Sequence, residues 1–188
     1  MTSLLALAVV GLSWDNTLPT EPLPRMELTD VAGKTWTLPV PEAKATVLVF
    51  ISVDCPIANR YAPEIKRVAD EFGPKGVAMF RVYWDATVAN ADMVKHGEEF
   101  GYGFPGFVDH GLKFVKAVGA TVTPEAAVIG VDGKVKYRGR INDMYLEHGR
   151  IKPGEYRQDL RVAIEEVLAG KTVTEPVATA IGCGIPID

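Results

Sequence analysis

Residues 46–51, Thr-Val-Leu-Val-Phe-Ile, constrain the fold of this chain more than any other segment. The run is rich in β-branched and aromatic residues, which is typical of a central strand buried on both faces. Cys55 and Pro56 follow it closely, and proline suits the first turn of a helix. Apolar side chains then recur at helical spacing, at Ile57, Tyr61, Ile65, Val68 and Phe72. The sequence therefore predicts an α/β domain with Cys55 at a strand-to-helix junction.

The rest of the chain alternates between strand and helix patterns. The predicted elements are an N-terminal hairpin at 26–28 and 35–38, a strand at 77–83, a helix at 89–100, an extended piece at 107–108, a helix at 112–118, a hairpin of 126–129 with 135–138, and a helix at 156–168. Residues 142–154 hold turn formers and charges and are predicted to form a surface loop. Strand-helix-strand units with a terminal antiparallel hairpin predict a mixed sheet with helices on both faces.

The length of 188 residues fits one domain with a substantial hydrophobic core. We expect an N-terminal arm at 1–23, a folded domain at 24–170 and a polar tail at 171–188. The formal net charge of -4 gives no electrostatic reason to expect nucleic acid or an acidic membrane surface as a partner.

The apolar run at residues 4–12 is similar to the hydrophobic part of a signal peptide, although no Lys or Arg precedes it. It is much shorter than the ~20 apolar residues of a membrane span. Cleavage would place the mature protein in the periplasm or another extracytoplasmic space, whereas an uncleaved arm would leave it in the cytoplasm. Of these two locations we expect export.

Cys55 is the residue to which the sequence assigns chemistry. A sulfur at the start of a helix faces unpaired backbone N–H groups and the positive end of the helix dipole, and both favour thiolate over thiol. Asp54 opposes this effect by like charge, whereas Arg60, one turn on, supports it. The alternative is an inert buried cysteine. The flanking strand and helix favour the reactive thiol.

Cys183 lies in the tail between Gly182 and Gly184. A cysteine on a mobile tail can reach a reactive thiol and trap its oxidised form as a disulfide. Pairing with Cys55 within one chain, pairing between two chains of a dimer, and a free thiol all stay open at this point.

Several other residues carry weaker signals. Thr123-Pro124 directly precedes a predicted strand, and Arg138 and Arg140 could hold a substrate oxygen or a thiolate, or end a strand in solvent. Four aromatic residues could line a pocket near the thiol or pack in the core: Tyr61, Trp84, Phe107 and Tyr145. The histidines lack the spacing of metal ligands and are predicted to be surface residues: His96, His110 and His148.

The sequence resembles the thioredoxin-like superfamily, and within it the redoxin branch of alkyl hydroperoxide reductase and thiol-specific antioxidant proteins. The resemblance covers about residues 24–170. It is carried by four segments: 28–34, 47–50, 52–56 (Ser-Val-Asp-Cys-Pro) and 122–124 (Val-Thr-Pro). The resemblance implies a three-layer sandwich with an N-terminal hairpin extension. It also implies that Pro124 is a cis proline facing the active site and that Cys55 holds the position of the peroxidatic cysteine.

The chain departs from the family patterns at two positions. Ala58 stands where a thioredoxin carries its second cysteine, which excludes a dithiol at the helix start. Ser52 and Pro56 match the peroxiredoxin pattern, but Leu48 stands where a peroxiredoxin has proline. Cys183 is similar in location to the resolving cysteine of two-cysteine peroxiredoxins.

The first functional hypothesis is a cysteine-based antioxidant or thiol oxidoreductase that acts on a peroxide or a disulfide. Cys55 would attack the substrate and Cys183 would resolve the intermediate. Ser52 would orient the reactants by hydrogen bonding, while Arg140 or Arg60 would stabilise negative charge. The predicted substrate-binding residues are Thr123, Pro124, Pro56 and Arg60. We expect no cofactor and no metal, and the reductant is not identified by the sequence.

Two other functions are compatible with the same scaffold. A copper carrier would use the soft thiolate of Cys55, with Cys183 and His148 folding in to complete the site. A non-catalytic binding module would keep the fold without the chemistry, because a fold does not fix a function.

Overall fold

The computed structural model describes residues 17–187, so the signal-like run at 4–12 lies outside the described residues. The strands and helices are, in chain order, β1 (Met26–Thr29), β2 (Thr35–Leu38), β3 (Ala45–Ile51), α1 (Pro56–Phe72), β4 (Val77–Tyr83), α2 (Asn90–Glu99), β5 (Gly106–Val108), α3 (Lys113–Val118), β6 (Val122–Thr123), β7 (Glu125–Gly130), β8 (Val135–Gly139), β9 (Tyr145–Glu147), β10 (Arg150–Ile151), α4 (Asp159–Leu168), β11 (Val177–Ala178) and β12 (Cys183–Gly184). Within the described range, no helix combines the length and apolar character that a membrane crossing requires.

A six-stranded mixed sheet forms the middle layer, in the order β11-β8-β7-β3-β4-β5. β3 pairs in parallel with β4 and antiparallel with β7. All seven residues of β3 are buried, as the apolar run predicts. Strand neighbours on both edges and side chains on both faces exclude water from it.

The two faces of the sheet carry separate hydrophobic clusters. Val47, Val49 and Ile51 pack with the buried faces of α1 and α4. Leu48 and Phe50 point to the opposite face and pack with α3 and with the β1–β2 hairpin. This division follows from the two-residue period of a strand. The predicted three-layer sandwich is confirmed, with the β1–β2 hairpin as its N-terminal extension.

Two segments are more ordered than the sequence predicts. Residues 142–154 contain the antiparallel pair β9–β10 rather than a loop alone, and Asn142 and Tyr145 are buried. The C-terminal tail adds β11 to the edge of the main sheet and pairs β12 with β6. The tail gains backbone partners from distant strands, and the Asn142 carbonyl oxygen accepts a hydrogen bond from the distant Tyr61 hydroxyl. Local sequence patterns do not encode such partners.

Candidate active site

Cys55 lies at the strand-to-helix junction predicted from the sequence, as the N-cap of α1. β3 ends at Ile51, and the Cys55 N–H then donates to the Ser52 carbonyl oxygen at 3.3 Å. The Ala58 N–H points at the Cys55 Sγ, with the nitrogen 3.4 Å from the sulfur. Cys55 is only 2% exposed. The sulfur is therefore enclosed at the end of the helix where backbone N–H groups favour negative charge.

Cys183 forms an intrachain disulfide with Cys55, and the two Cα atoms lie 6.1 Å apart. Of the three alternatives that the sequence left open, the structure contains pairing within one chain. The bond joins residues 128 positions apart. The tail reaches Cys55 through β12, which pairs antiparallel with β6 and sets Cys183 opposite Thr123. The tail is thus seated on the domain rather than free.

Thr123 contacts both cysteines. Its carbonyl oxygen lies 3.1 Å from the Cys55 Sγ, and its hydroxyl donates to the Cys183 carbonyl oxygen at 3.4 Å. The side chain is fully buried, and the following peptide bond, to Pro124, is cis. The Cys55 sulfur therefore contacts the positive end of the Ala58 N–H dipole and the negative end of the Thr123 carbonyl dipole.

The buried carboxylate of Glu125 holds the backbone at the start of β6 by hydrogen bonds. Glu125 accepts hydrogen bonds from the Thr121 N–H at 2.8 Å and the Val122 N–H at 3.4 Å, and it lies 3.5 Å from the Arg138 Nε. Burial raises the pKa of the Glu125 carboxyl, while these amides and Arg138 act in the opposite direction. Arg138 therefore forms an ion pair with Glu125 rather than ending a strand in solvent. Glu125 is not among the residues predicted from the sequence, although a charged residue at the start of an apolar strand was an available signal.

A chain of hydrogen bonds connects a buried arginine to the loop that carries Cys55. Arg81 donates to the Tyr83 hydroxyl at 2.9 Å, and that hydroxyl lies 3.0 Å from the His96 Nδ1. The His96 Nε2 lies 2.9 Å from the Asn59 Oδ1, and the Asn59 amide donates to the Val53 carbonyl at 3.0 Å. If the neutral imidazole carries its proton on Nε2, every member of the chain has a partner.

The prediction that His96 lies on the surface is wrong, because the residue is 5% exposed. It shares the buried face of α2 with Met93 and Gly97. Burial lowers the pKa of His96, and the charge of Arg81 lowers it further. An arginine inside the apolar segment 77–83 was the sequence signal for a buried polar partner nearby.

The remaining predicted site residues do not bond to the sulfur. Within residues 17–187, no hydrogen bond joins the side chain of Ser52, Arg60 or Arg140 to Cys55. Arg140 instead pairs with Asp159, its Nε 2.8 Å from a carboxylate oxygen. Arg60 and Pro56 are exposed near the start of α1. The roles assigned to these residues at the site stay predictions.

Three of the four aromatic residues considered as pocket lining are core residues. Tyr61, Phe107 and Tyr145 are buried, and Trp84 is half-buried. Tyr61 and Tyr145 pack in the same cluster as Cys55, their ring centroids 5.8 Å apart. A cleft of about 530 Å³ lies instead beside the loop before Cys55, lined by residues that include Val53, Asp54, Asn59, Asp92, His96 and Glu99.

The geometry gives no support to a copper site. In the part of the chain that the structure describes, no cluster of three or more His, Cys, Asp or Glu side chains is placed to hold a metal ion. His148, considered as a third ligand, lies with its Nε2 2.8 Å from the Gly182 carbonyl oxygen. Its contact is therefore with the main chain of the tail.

A mixed sheet between helices, with a cysteine capping the helix after the central strand and a cis proline beside it, defines a thioredoxin-like protein. The fold is similar to that of the thioredoxin domain of a thiol-disulfide oxidoreductase from Bacteroides vulgatus. That match has a TM-score of 0.58 at 16% identity, covering 79% of this chain and 96% of the other. The model of the AhpC/TSA family matches residues 19–138. The chain therefore belongs to the AhpC/TSA family, within the thioredoxin-like redoxins.

Two further similar proteins are one of unknown activity and one thiol-disulfide oxidoreductase. An uncharacterized conserved protein from Geobacillus kaustophilus has a TM-score of 0.77 and 31% identity, and the match covers 89% of this chain and 91% of that one. The thiol-disulfide oxidoreductase ResA of Halalkalibacterium halodurans is 26% identical over 108 residues, which are 57% of this chain and 60% of ResA. This chain thus matches less than two thirds of the length of ResA.

Proposed function

We propose that this protein is a thiol-disulfide oxidoreductase that acts on protein disulfides through Cys55 and Cys183. The observation that carries the proposal is the disulfide that brings a tail cysteine to the cysteine capping α1. Since position 58 is alanine, the tail supplies the second thiol that the helix lacks. The similarity to ResA, a thiol-disulfide oxidoreductase, supports the same reaction class.

The reaction is a two-step exchange. The Cys55 thiolate attacks one sulfur of a substrate disulfide, so that a mixed disulfide forms and the other substrate sulfur leaves as a thiolate and takes a proton. The Cys183 thiolate then attacks the Cys55 sulfur and expels the second substrate thiolate. The substrate gains two electrons, and the protein loses two as its own disulfide forms. A dithiol reductant returns the protein to the reduced state by the same exchange.

The test uses the reduced protein and its two single-cysteine variants. We expect Cys55→Ser to abolish the reduction of a protein disulfide, because no nucleophile remains at the helix end. We expect Cys183→Ser to accumulate a mixed disulfide on Cys55, because nothing resolves it, and mass spectrometry of the quenched reaction detects this adduct. Each variant is the control for the other, since both lose the internal disulfide. Undiminished turnover by Cys55→Ser would contradict the proposal.

Family membership favours peroxide as a second candidate oxidant. Attack of Cys55 on the O–O bond of hydrogen peroxide would give a sulfenic acid and hydroxide, and attack by Cys183 would release water and form the same disulfide. Single-turnover rates with hydrogen peroxide and with a protein disulfide, at equal concentrations, separate the two activities. A faster reaction with peroxide would make peroxidase the primary function.

We also propose that the protein works outside the cytoplasm. The apolar run at 4–12 supports export. Cell fractionation followed by mass measurement of the intact chain tests this location. Recovery of the full-length chain from the cytoplasm alone would contradict it.

A further inference from the structure

The main chain of the tail is held by contacts that do not depend on its side chains. The Ile185 N–H donates to the Thr121 carbonyl oxygen at 2.8 Å, and the His148 Nε2 donates to the Gly182 carbonyl oxygen at 2.8 Å. These contacts flank the antiparallel pairing of β12 with β6. Any extended polypeptide can make the same main-chain hydrogen bonds at a strand edge.

Side chains of the tail are restricted at two positions around Cys183. A Cβ on Gly182 would lie 2.1 Å from the Thr123 carbonyl oxygen, and both groups are buried, so a larger residue does not fit before the cysteine. Ile185, two residues after the cysteine, is 6% exposed and packs in the hydrophobic cluster on the α3 side of the sheet.

The position between them is unrestricted. Gly184 is exposed, and a Cβ added there would meet no atom within 4 Å. The surface against which the tail packs therefore accepts the sequence pattern glycine, cysteine, any residue, apolar residue.

We infer that the chain's own tail acts as an internal competitor of substrate at the β6 edge, and that the contacts that seat the tail select extended substrate segments with the pattern Gly-Cys-x-apolar. The inference rests on the proposed function. A mixed disulfide between Cys55 and a substrate cysteine has the same connectivity as the Cys55–Cys183 bond. The tail thus occupies the place that a substrate segment takes during the first exchange step.

Substrate and tail compete for this edge. Cys55 is enclosed while the tail is seated, so a substrate reaches the sulfur only when β12 leaves β6. In the reduced protein no covalent bond holds the tail, and the side chain of Ile185 together with the main-chain contacts has to be displaced. The tail then returns by displacing the main chain of the substrate from β6, which brings Cys183 to the Cys55 sulfur. Attack of the Cys183 thiolate there forms the internal disulfide and expels the substrate thiolate.

The test measures peptide exchange on full-length Cys183→Ser, whose only thiol is Cys55. The probe is a peptide of residues 180–187 with its cysteine activated as a pyridyl disulfide, so that release of thiopyridone reports bond formation with Cys55. Three companion peptides change one position each: alanine for the glycine before the cysteine, alanine for the glycine after it, and serine for the isoleucine two residues after it. A small pyridyl disulfide without a peptide serves as a reference.

We expect the first and third substitutions to slow the reaction about tenfold or more, because one introduces a clash and the other loses apolar burial. The substitution after the cysteine is expected to leave the rate within about twofold. A second variant, Cys183→Ser with Ile185→Ser, weakens the seat of the tail and is expected to react faster with the parent peptide. Cys183→Ser with Pro186→Ala, at an exposed position, is its control.

Equal rates for all four peptides would overturn the inference while the proposed function stands, provided that Cys55 exchanges with the small disulfide. An unchanged rate for the Ile185→Ser variant would also overturn it, because tail and substrate would then not share the edge. Failure of Cys55 to react with the peptides and with the small disulfide would instead overturn the proposed function.

Discussion

Two backbone groups act in opposite directions on the sulfur of Cys55. The Ala58 N–H presents the positive end of its dipole to the sulfur, and the Thr123 carbonyl oxygen presents the negative end of its dipole. Ala58 is three residues away along the helix, whereas Thr123 is 68 residues away. The helix start visible in the sequence therefore supplies only one of the two influences on this thiol.

His96 gives the stability of the protein a dependence on pH. Burial keeps the pKa of His96 below its ordinary value of 6.5, mainly by desolvation and secondly through Arg81, although Glu99 and Asp54 act against this shift. In the unfolded chain the imidazole takes up a proton at higher pH than it does in the folded protein. Stability therefore falls as pH drops from about 6.5 to the lower pKa of the folded state, and it levels off below that.

We expect His96→Gln to remove this part of the acid-side loss, while lowering stability at neutral pH because the bonds to Tyr83 and Asn59 are weakened. The measurement is the free energy of unfolding in urea from about pH 8 to about pH 5. His110→Gln, at an exposed position, is the matched control. A slope that is identical in His96→Gln and the wild type would show that another group is responsible.

At the scale of elements, α2 packs closely against β4 because a glycine, Gly97, faces Arg81. Gly97 lies on the buried face of α2, and a Cβ there would be only 2.3 Å from a guanidinium nitrogen of Arg81. Arg81 cannot easily move aside, since it donates to the Tyr83 hydroxyl and to the Phe104 carbonyl oxygen. The glycine is therefore required by packing, although glycine ordinarily weakens a helix.

We expect Gly97→Ala to destabilise the protein by about 1–3 kcal/mol, the usual result of overpacking. In an uncrowded helix the same substitution stabilises by about 0.5–1 kcal/mol. Gly103→Ala is the control, because Gly103 is outside the left-handed region and has open space around its Cβ position. Chemical denaturation of both variants decides the matter, and a gain in stability for Gly97→Ala would disprove the packing argument.

At the scale of the whole molecule, the Cys55–Cys183 disulfide links the middle of the chain to its tail. Linking residues 128 positions apart restricts the unfolded chain, and the chain-entropy model gives about 5 kcal/mol for a loop of this size. Because domains of this kind are stable by only about 5–15 kcal/mol, the redox state should change the stability by a large fraction of its total.

We expect reduction of the wild-type protein to lower its free energy of unfolding by up to about 5 kcal/mol. Urea denaturation with and without a dithiol reductant measures the difference. Cys183→Ser should unfold at the same urea concentration under both conditions, since it has no internal disulfide to lose. Identical midpoints for oxidised and reduced wild-type protein would refute the expectation.

The predicted fold and the position of Cys55 at a helix start agree with the structure because their signals are local. A buried strand at 46–51, a helix that starts at Pro56 and a Thr-Pro step before a strand each leave a mark within a few residues. Arg81 within the apolar segment 77–83 indicates a buried polar partner, but no local pattern identifies His96 as that partner or pairs the tail with β6. Both contacts depend on which helix face and which strand edge the packed domain presents.

By itself, the sequence determined the layered α/β architecture and the placement of Cys55 at a helix start, because periodicity and capping act over one or two turns of chain. Only the tertiary structure decided that Cys183 is its partner, that Thr123 touches both cysteines and that His96 is buried. The physical reason is the separation of the contacting residues along the chain. Each of these contacts joins residues far apart in the chain, so each exists only once the burial of the whole core has offset the entropy of closing the loops between them.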